Sequence, residues 1–280
     1  MHPLALLLSM FFLVSPATKP TDELAAAERD FAADGIALGV NPAFLKHFAA
    51  DSWIFRPYPV AAREWLRKQP KKNTRLLWGP QYLEVSAAGD LGLSMGPWHL
   101  SAERGDKTID AYGHFMTVWQ RNTQGRWEVL ADHGASHAKV ALDVDLQPRN
   151  NHVESVADLS ADSHAQRLRA LEKTDDALRL ALQGADIVTA YQRFSTDDVL
   201  LLRDGAIPAP GVIPDVLKEA KAGIGSAPRR AAGISRSGDL GYTLGGSDTP
   251  ENAGRGVYER MWRYDGKTWR LCADVTDSAN

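Results

Sequence analysis

The sequence predicts an α+β protein made of two tandem copies of one unit, in which helices come first and a curled antiparallel sheet follows. Three observations predict it. The run SAAGDLGLSMG, then FMTVWQRNTQGRWEVLAD, within residues 86–132 returns as SRSGDLGYTLG, then YERMWRYDGKTWRLCAD, within residues 235–274. Each copy is preceded by segments with helical spacing and itself shows strand alternation broken by turn residues. The order of elements is the same in both halves, which chance agreement of one glycine turn would not produce.

In the first half, Thr21-Asp22-Glu23 supplies a cap and first-turn acids for a helix with Leu24, Ala27, Phe31 and Leu38 on one stripe, ended by Gly39. Asn41-Pro42 restarts a second helix, with Asn41 as N-cap and Phe44, Leu45 and Phe48 on one side. Trp53-Ile54-Phe55 reads as a short strand, broken by Pro57 and Pro59, and residues 60–69 as a third helix with Ala61, Trp65 and Leu66 inward. The basic run around Pro70, with Lys71, Lys72 and Arg75, reads as a solvated loop. Four strands follow over residues 82–87, 91–101, 108–121 and 127–132. The turns between them hold Ala88-Gly89-Asp90, Arg104-Gly105-Asp106 and Gln124-Gly125, residues that tolerate positive φ and so join strands into an antiparallel meander.

Residues 138–163 are polar and aperiodic, with Pro148, Asn150 and Asn151, and read as a linker. The pattern then restarts. Residues 164–183 form a helix with Leu168, Leu171, Leu178 and Leu182 on a stripe that Asp175 interrupts. Residues 187–194 form a second helix, 199–203 a short strand and 214–221 a third helix, before the second GDLG turn. The implied division is a leader at 1–17, a first domain at 22–137, a linker at 138–163 and a second domain at 164–277.

At 280 residues, 44% apolar and 24% charged, each half is long enough to bury its own core without disulfides or metal. A net charge of -3 gives no broad attraction to nucleic acid or anionic membranes. The apolar run from Leu4 to Val14, followed by Ser15-Pro16-Ala17, reads as a cleavable secretory leader. It is too short to span a bilayer, so the expected location is periplasmic or secreted, free of the membrane after cleavage.

Helices, then a bent sheet, with Phe48-x-x-Asp51 and Phe194-x-x-Asp197 at the ends of the second helices and GDLG, Trp119, Trp127 and Asp132 matched by GDLG, Trp262, Trp269 and Asp274, resemble the nuclear transport factor 2-like superfamily. The nearest branches are the SnoaL-like and ketosteroid-isomerase-like proteins. The resemblance implies two tandem cone-shaped α+β barrel domains, each with a cavity between sheet and helices that takes an apolar small molecule, and packing of the two as an internal pseudo-dimer. The matched residues read as scaffold: glycines in turns, tryptophans in the core, aspartates at strand ends. Chemistry is then expected where the halves differ.

Alternation along residues 108–121 puts Asp110, Tyr112, His114, Met116 and Val118 on one strand face. A carboxylate, a phenol and an imidazole in a row are the equipment for proton abstraction next to a carbonyl, as in a lyase or isomerase, and are the expected catalytic set. The corresponding second-half residues, Ala253, Arg255, Val257 and Glu259, lack it. Trp53, Arg56, Tyr58 and Trp98 are the expected ligand-binding residues, an arginine among aromatics being suited to a carboxylate or a planar ring. The isomerase pattern of a tyrosine on the first helix is missing, since Phe31 stands there. His133 and His137 are four apart, but Gly134 and the preceding strand argue against a helical metal site. No cofactor fingerprint is present. The expectation is a small-ligand binder without metal or cofactor, the alternatives being the lyase or isomerase and a protein-interaction scaffold.

Overall fold

The computed structural model describes residues 19–70, 74–105, 107–143, 145–149, 157–247 and 256–276. The expected leader lies outside these residues, as do Lys71, Lys72, Asp106, Asn150, Asn151, Ala253 and Arg255.

The first half runs α1 (Pro20–Ala37), α2 (Val40–His47), β1 (Phe48–Phe55), β2 (Pro59–Ala61), α3 (Ala62–Lys68), β3 (Thr74–Trp78), β4 (Tyr82–Val85), β5 (Leu91–Arg104), β6 (Lys107–Arg121) and β7 (Trp127–Ser136). Gln147–Pro148 forms the short β8. The second half runs α4 (Ala161–Ala181), α5 (Ile187–Phe194), β9 (Ser195–Leu202), a 3-10 turn at Asp215–Lys218, β10 (Arg229–Ile234), β11 (Leu240–Gly245), β12 (Tyr258–Tyr264) and β13 (Trp269–Thr276). The α+β reading holds. The sheets are open, however, with orders β2-β1-β7-β6-β5-β4-β8 and β10-β11-β12-β13-β9, so neither is a closed barrel.

Helix faces follow from spacing. α1 buries Leu24, Ala25, Glu28, Phe31 and Gly35, and α4 buries Leu171, Asp175 and Leu178. Asp175 is therefore a buried polar group inside the stripe. The expected caps at Thr21 and Asn41 are not used: Pro20 opens α1, and α2 begins directly after Gly39, whose φ is 88°. Ser160 does cap α4, its side chain accepting from the Ser163 N–H.

Several elements differ from or add to the expectation. Residues 74–78, of which Arg75 is expected in a solvated loop and the rest have no expected element, pair with the far half of β5 from Thr74↔Ala102 to Trp78↔Trp98. β5 and β6 are paired out to Arg104↔Lys107, and this long ribbon leaves an edge for β3 to cover. β1 lies parallel to β7, and β9 parallel to β13, because each chain reaches its sheet's far edge from helices rather than through a hairpin. The third helix of the second half shrinks to the 3-10 turn, where only Leu217 is buried.

Burial resolves into three cores. One lies between the first half's helices and its sheet, around Phe31, Phe44, Leu83 and Trp119; a second occupies the same place in the second half, around Leu171, Tyr191, Trp262 and Trp269. The third joins the outer sheet faces, with Leu93, Met116 and Val118 from one and Leu200, Leu244 and Met261 from the other. At its end the two GDLG turns clasp each other. Asp239 accepts from the Ala87 N–H at 2.9 Å, and Asp90 accepts from the Arg236 N–H at 3.0 Å. Within its own turn each aspartate takes a serine hydroxyl, Ser86 or Ser235, at 2.9 Å.

Candidate functional site

Between α1, α2 and the concave face of the first sheet lies a cavity of about 250 Å³, lined by Phe31, Phe44, Trp78, Trp98, Phe115 and Leu100 among apolar residues, with Arg56 and Asp132 among them. Its aromatic walls depend on glycines. A Cβ on Gly35 would fall 2.5 Å from the Trp78 ring, and one on Gly113 would fall 2.5 Å from the Trp98 ring, so each indole lies flat against a backbone that has no side chain. Alternation on β6 decides which residues reach this space. Phe115 lines it, Trp119 fills the core behind it, and the even-numbered residues point to the other face of the sheet.

That parity places the expected catalytic set on the strand face away from this cavity. Asp110, Tyr112 and His114 share a face, but Met116 and Val118 on the same face belong to the core between the two sheets. The three are not assembled with one another either. Asp110, exposed near the strand's start, is hydrogen-bonded to His99 Nε2 at 2.6 Å, which holds its carboxyl below the usual range. Tyr112 stacks on His99 at 4.5 Å, with the Lys139 ammonium 5.6 Å from its ring. His114 is buried, its Nδ1 2.6 Å from His137 Nε2 and its Nε2 3.2 Å from Gln81 Oε1. Burial and the neighbouring imidazole push it down to about 3, so it is neutral across the physiological range. His137 Nδ1 lies 2.6 Å from the Ala138 carbonyl, the geometry of an N–H donor.

Of the expected ligand-binding residues, Arg56 and Trp98 line the cavity, whereas Trp53 and Tyr58 pack against the core between the sheets. His133 stacks on Phe55 at 3.9 Å.

Asp132 is the residue the sequence reading left among scaffold. It accepts the Thr117 hydroxyl at 3.0 Å and faces the cavity. Burial raises its carboxyl to about 6, against the opposing pull of the Arg56 charge and of the Thr117 hydrogen bond. Behind the Trp78 wall stands Glu28, wholly buried, accepting from Trp78 Nε1 at 2.7 Å, Ser94 Oγ at 2.5 Å and Trp119 Nε1 at 3.2 Å. Desolvation outweighs these three donors and raises it to about 7.

The second half builds the same positions and closes them. Ile54 pairs with Asp132 as Leu201 pairs with Asp274, and Thr117 pairs with Asp132 as Arg260 pairs with Asp274. By that register Arg56 corresponds to Arg203, Thr117 to Arg260 and Phe115 to Tyr258; the matched α2 and α5 place Phe44 opposite Tyr191. Asp274 receives Arg203 Nη2 at 2.5 Å, Tyr191 OH at 2.7 Å and Arg260 Nε at 3.2 Å. Arg260 continues to Asp175 at 2.8 Å, which also accepts Tyr258 OH at 2.9 Å and Thr243 Oγ1 at 3.0 Å. Two arginines and two tyrosines thus occupy, as a buried ionic network, positions where the first half has Arg56, Thr117 and two phenylalanines.

No protein-family model matches the chain, and no curated protein matches it. Among the solved structures it matches are nuclear transport factor 2-like and ketosteroid isomerase-like proteins. One from Salmonella enterica, of the nuclear transport factor 2-like superfamily, is 16% identical with a TM-score of 0.34, covering 44% of this chain and 94% of that one. A ketosteroid isomerase-like protein from Erwinia carotovora atroseptica is 10% identical with a TM-score of 0.37, covering 44% and 100%. An NTF2-like protein with a cystatin-like fold from Novosphingobium aromaticivorans is 12% identical with a TM-score of 0.34, covering 43% and 83%. Each span is close to the length of one half of this chain. At such identities the roles of residues follow only from this chain's own geometry.

Proposed function

We propose that the first half binds a small apolar organic molecule in the cavity beside Asp132, and that the second half is its structural partner in an internal pseudo-dimer. The observation that carries the reading is the contrast within one chain. The same scaffold positions are filled by ions and phenols in the second half and left around an aromatic cavity in the first. The expected leader supports release into the periplasm or the medium.

A second reading, proton transfer next to a carbonyl by a lyase or isomerase, is favoured by one feature. Asp132, with its carboxyl at about 6, is poised to take and return a proton inside the cavity, the role first expected of His114.

The binding reading is tested with para-biphenylmethanol, a neutral flat probe. Saturable quenching of tryptophan fluorescence is the expected result, from Trp78 and Trp98 in the wall. Phe115→Trp, which adds bulk to that wall, is expected to weaken the probe at least about ten-fold, as one overfilled contact does. Equal quenching in the variant places the probe elsewhere and overturns the reading.

A further inference from the structure

Arg56 stands where the inner cavity meets a second recess of about 400 Å³ against the loop and start of α2 and against Trp65; Phe44, Arg56, Leu76 and Leu100 line both spaces. Its Nη1 donates to the Phe55 carbonyl at 2.5 Å, and the Trp65 ring lies 5.3 Å from its guanidinium carbon. Among the described residues no carboxylate lies within ion-pair distance of it. Its counterpart Arg203 makes the same bond to the Leu202 carbonyl, at 2.6 Å, but spends its Nη2 on Asp274 at 2.5 Å. In the first half the corresponding Asp132 turns to Thr117 instead. Among the described residues the Nε and Nη2 of Arg56, the fork that takes a carboxylate in two parallel bonds, have no hydrogen-bond partner, and the residue lines both spaces.

We propose that Arg56 is an anion subsite, and that the molecule bound here is a flat apolar carboxylic acid with its rings between Trp78, Trp98 and Phe115 and its carboxylate on Arg56. This rests on the binding reading given above. A carboxylate on Arg56 removes the cation that favours ionised Asp132 and adds a negative charge near it. The other groups acting on that aspartate are of both signs: Glu28 behind Trp78, Glu259 on the far side of the sheet, and His133 next in the strand. Both acids add to the repulsion when ionised. Binding therefore takes up a proton at Asp132, and affinity for the acid falls as pH rises through about 6.

The test uses the full chain, calorimetry, and two probes of one shape, para-biphenylcarboxylic acid and para-biphenylmethanol. The acid is expected to bind at least about ten-fold tighter than the alcohol near pH 5, as a charge-assisted hydrogen bond allows. Arg56→Met brings the two probes to within about two-fold of each other, and Arg56→Lys keeps part of the preference, a point charge replacing the fork. Asp132→Asn flattens the pH dependence of the acid and leaves the alcohol's profile, already flat, as it was. Equal affinity of the two probes in the wild type, or a preference that survives Arg56→Met, overturns the anion subsite while the cavity reading stands. Failure of both probes to bind overturns the cavity reading and this inference with it. Should Arg56→Met lose its circular dichroism signal, the wild-type comparison of acid with alcohol and the Arg56→Lys variant decide the matter.

Discussion

At the scale of single residues, buried carboxylates set the chemistry of the first half, and the halves treat them differently. Asp175 has Arg260 and Arg229 as counter-ions, whereas Glu28, reaching the matched Ser94 and Trp119, has only neutral donors. Its folded-state value of about 7 lies above the ordinary 4.5, so the folded protein holds a proton that the unfolded chain releases. The stability this proton supports is complete below about 4.5 and is lost as pH rises through about 7, a change on the order of 3 kcal/mol. Glu28→Gln, which keeps an acceptor for Trp78 and cannot ionise, is expected to lose less stability than the wild type when urea midpoints near pH 6 and pH 8 are compared. Parallel losses in the two proteins would assign the slope to other groups. Little of this was legible beforehand. Glu28 sits in a helix stripe as any exposed acid would, and its burial depends on Trp78, which comes from a strand the sequence did not reveal. Arg56 and Trp98 were legible, because an arginine among aromatics is rare on an ordinary surface. That Asp110, Tyr112 and His114 lie away from the cavity was not legible, because alternation divides a strand into two faces without saying which face is concave.

At the scale of elements, β6 and β12 are the same strand carrying different contents. Both pair with a last strand that bears an aspartate, and both bury a tryptophan, Trp119 or Trp262, whose Nε1 donates to Ser94 or Thr243 at 2.9 Å. The duplicated motif made this shared part legible, and it is scaffold, as the pattern implied. The assumption that matched residues are only scaffold fails at Asp132 and Asp274, since two identical residues differ through neighbours that do not match. Comparing the surrounding positions, Thr117 with Arg260 and Phe115 with Tyr258, would have found the site, because one half keeps small or apolar residues where the other places charges. The energetic weight of β12 is testable. Arg260 is wholly buried between Asp175 and Asp274 and also donates to the Gly225 carbonyl at 2.6 Å. Arg260→Thr, the first half's residue, removes one of two counter-ions from each of two buried carboxylates, leaving Arg229 with Asp175 and Arg203 with Asp274. A loss of about 3–5 kcal/mol in urea unfolding is expected, typical of a buried pair broken on one side. A loss under about 1 kcal/mol, the level of a surface pair, would mean that the network is solvated.

At the scale of the whole molecule, the two halves bury against each other the sheet faces that each would otherwise expose, and their repeated turns are locked reciprocally through Asp90 and Asp239. The duplication was legible in the sequence, but the clasp was not, since a GDLG turn satisfies its own hairpin whether or not a second copy sits opposite. Within this layer Glu84 is paired across the halves with Arg263 at 2.7 Å, whereas a second buried carboxyl has no such partner. Glu259 takes the place that Met116 has in the first sheet, is wholly buried, and among the described residues neither of its carboxyl oxygens has a hydrogen-bond partner. Burial first, and the charge of Asp132 after it, raise this carboxyl well above its ordinary 4.5. The group is therefore protonated when folded, and by linkage its contribution to stability is fully present below the ordinary glutamate value and declines as pH rises towards the folded-state value. Glu259→Met, borrowing the first half's residue, removes an unsatisfied polar group and the titration together. Near pH 4 the variant is expected to be more stable by roughly 1–3 kcal/mol, the cost of a buried group without a partner. Near pH 8 the advantage is expected to be larger, because only the wild type then bears the cost of holding a proton or a buried charge between the sheets. Guanidinium midpoints at the two pH values decide it: an equal advantage at both would mean that Glu259 does not titrate differently in the folded and unfolded chains, and a destabilised variant would mean that the interface needs the carboxyl.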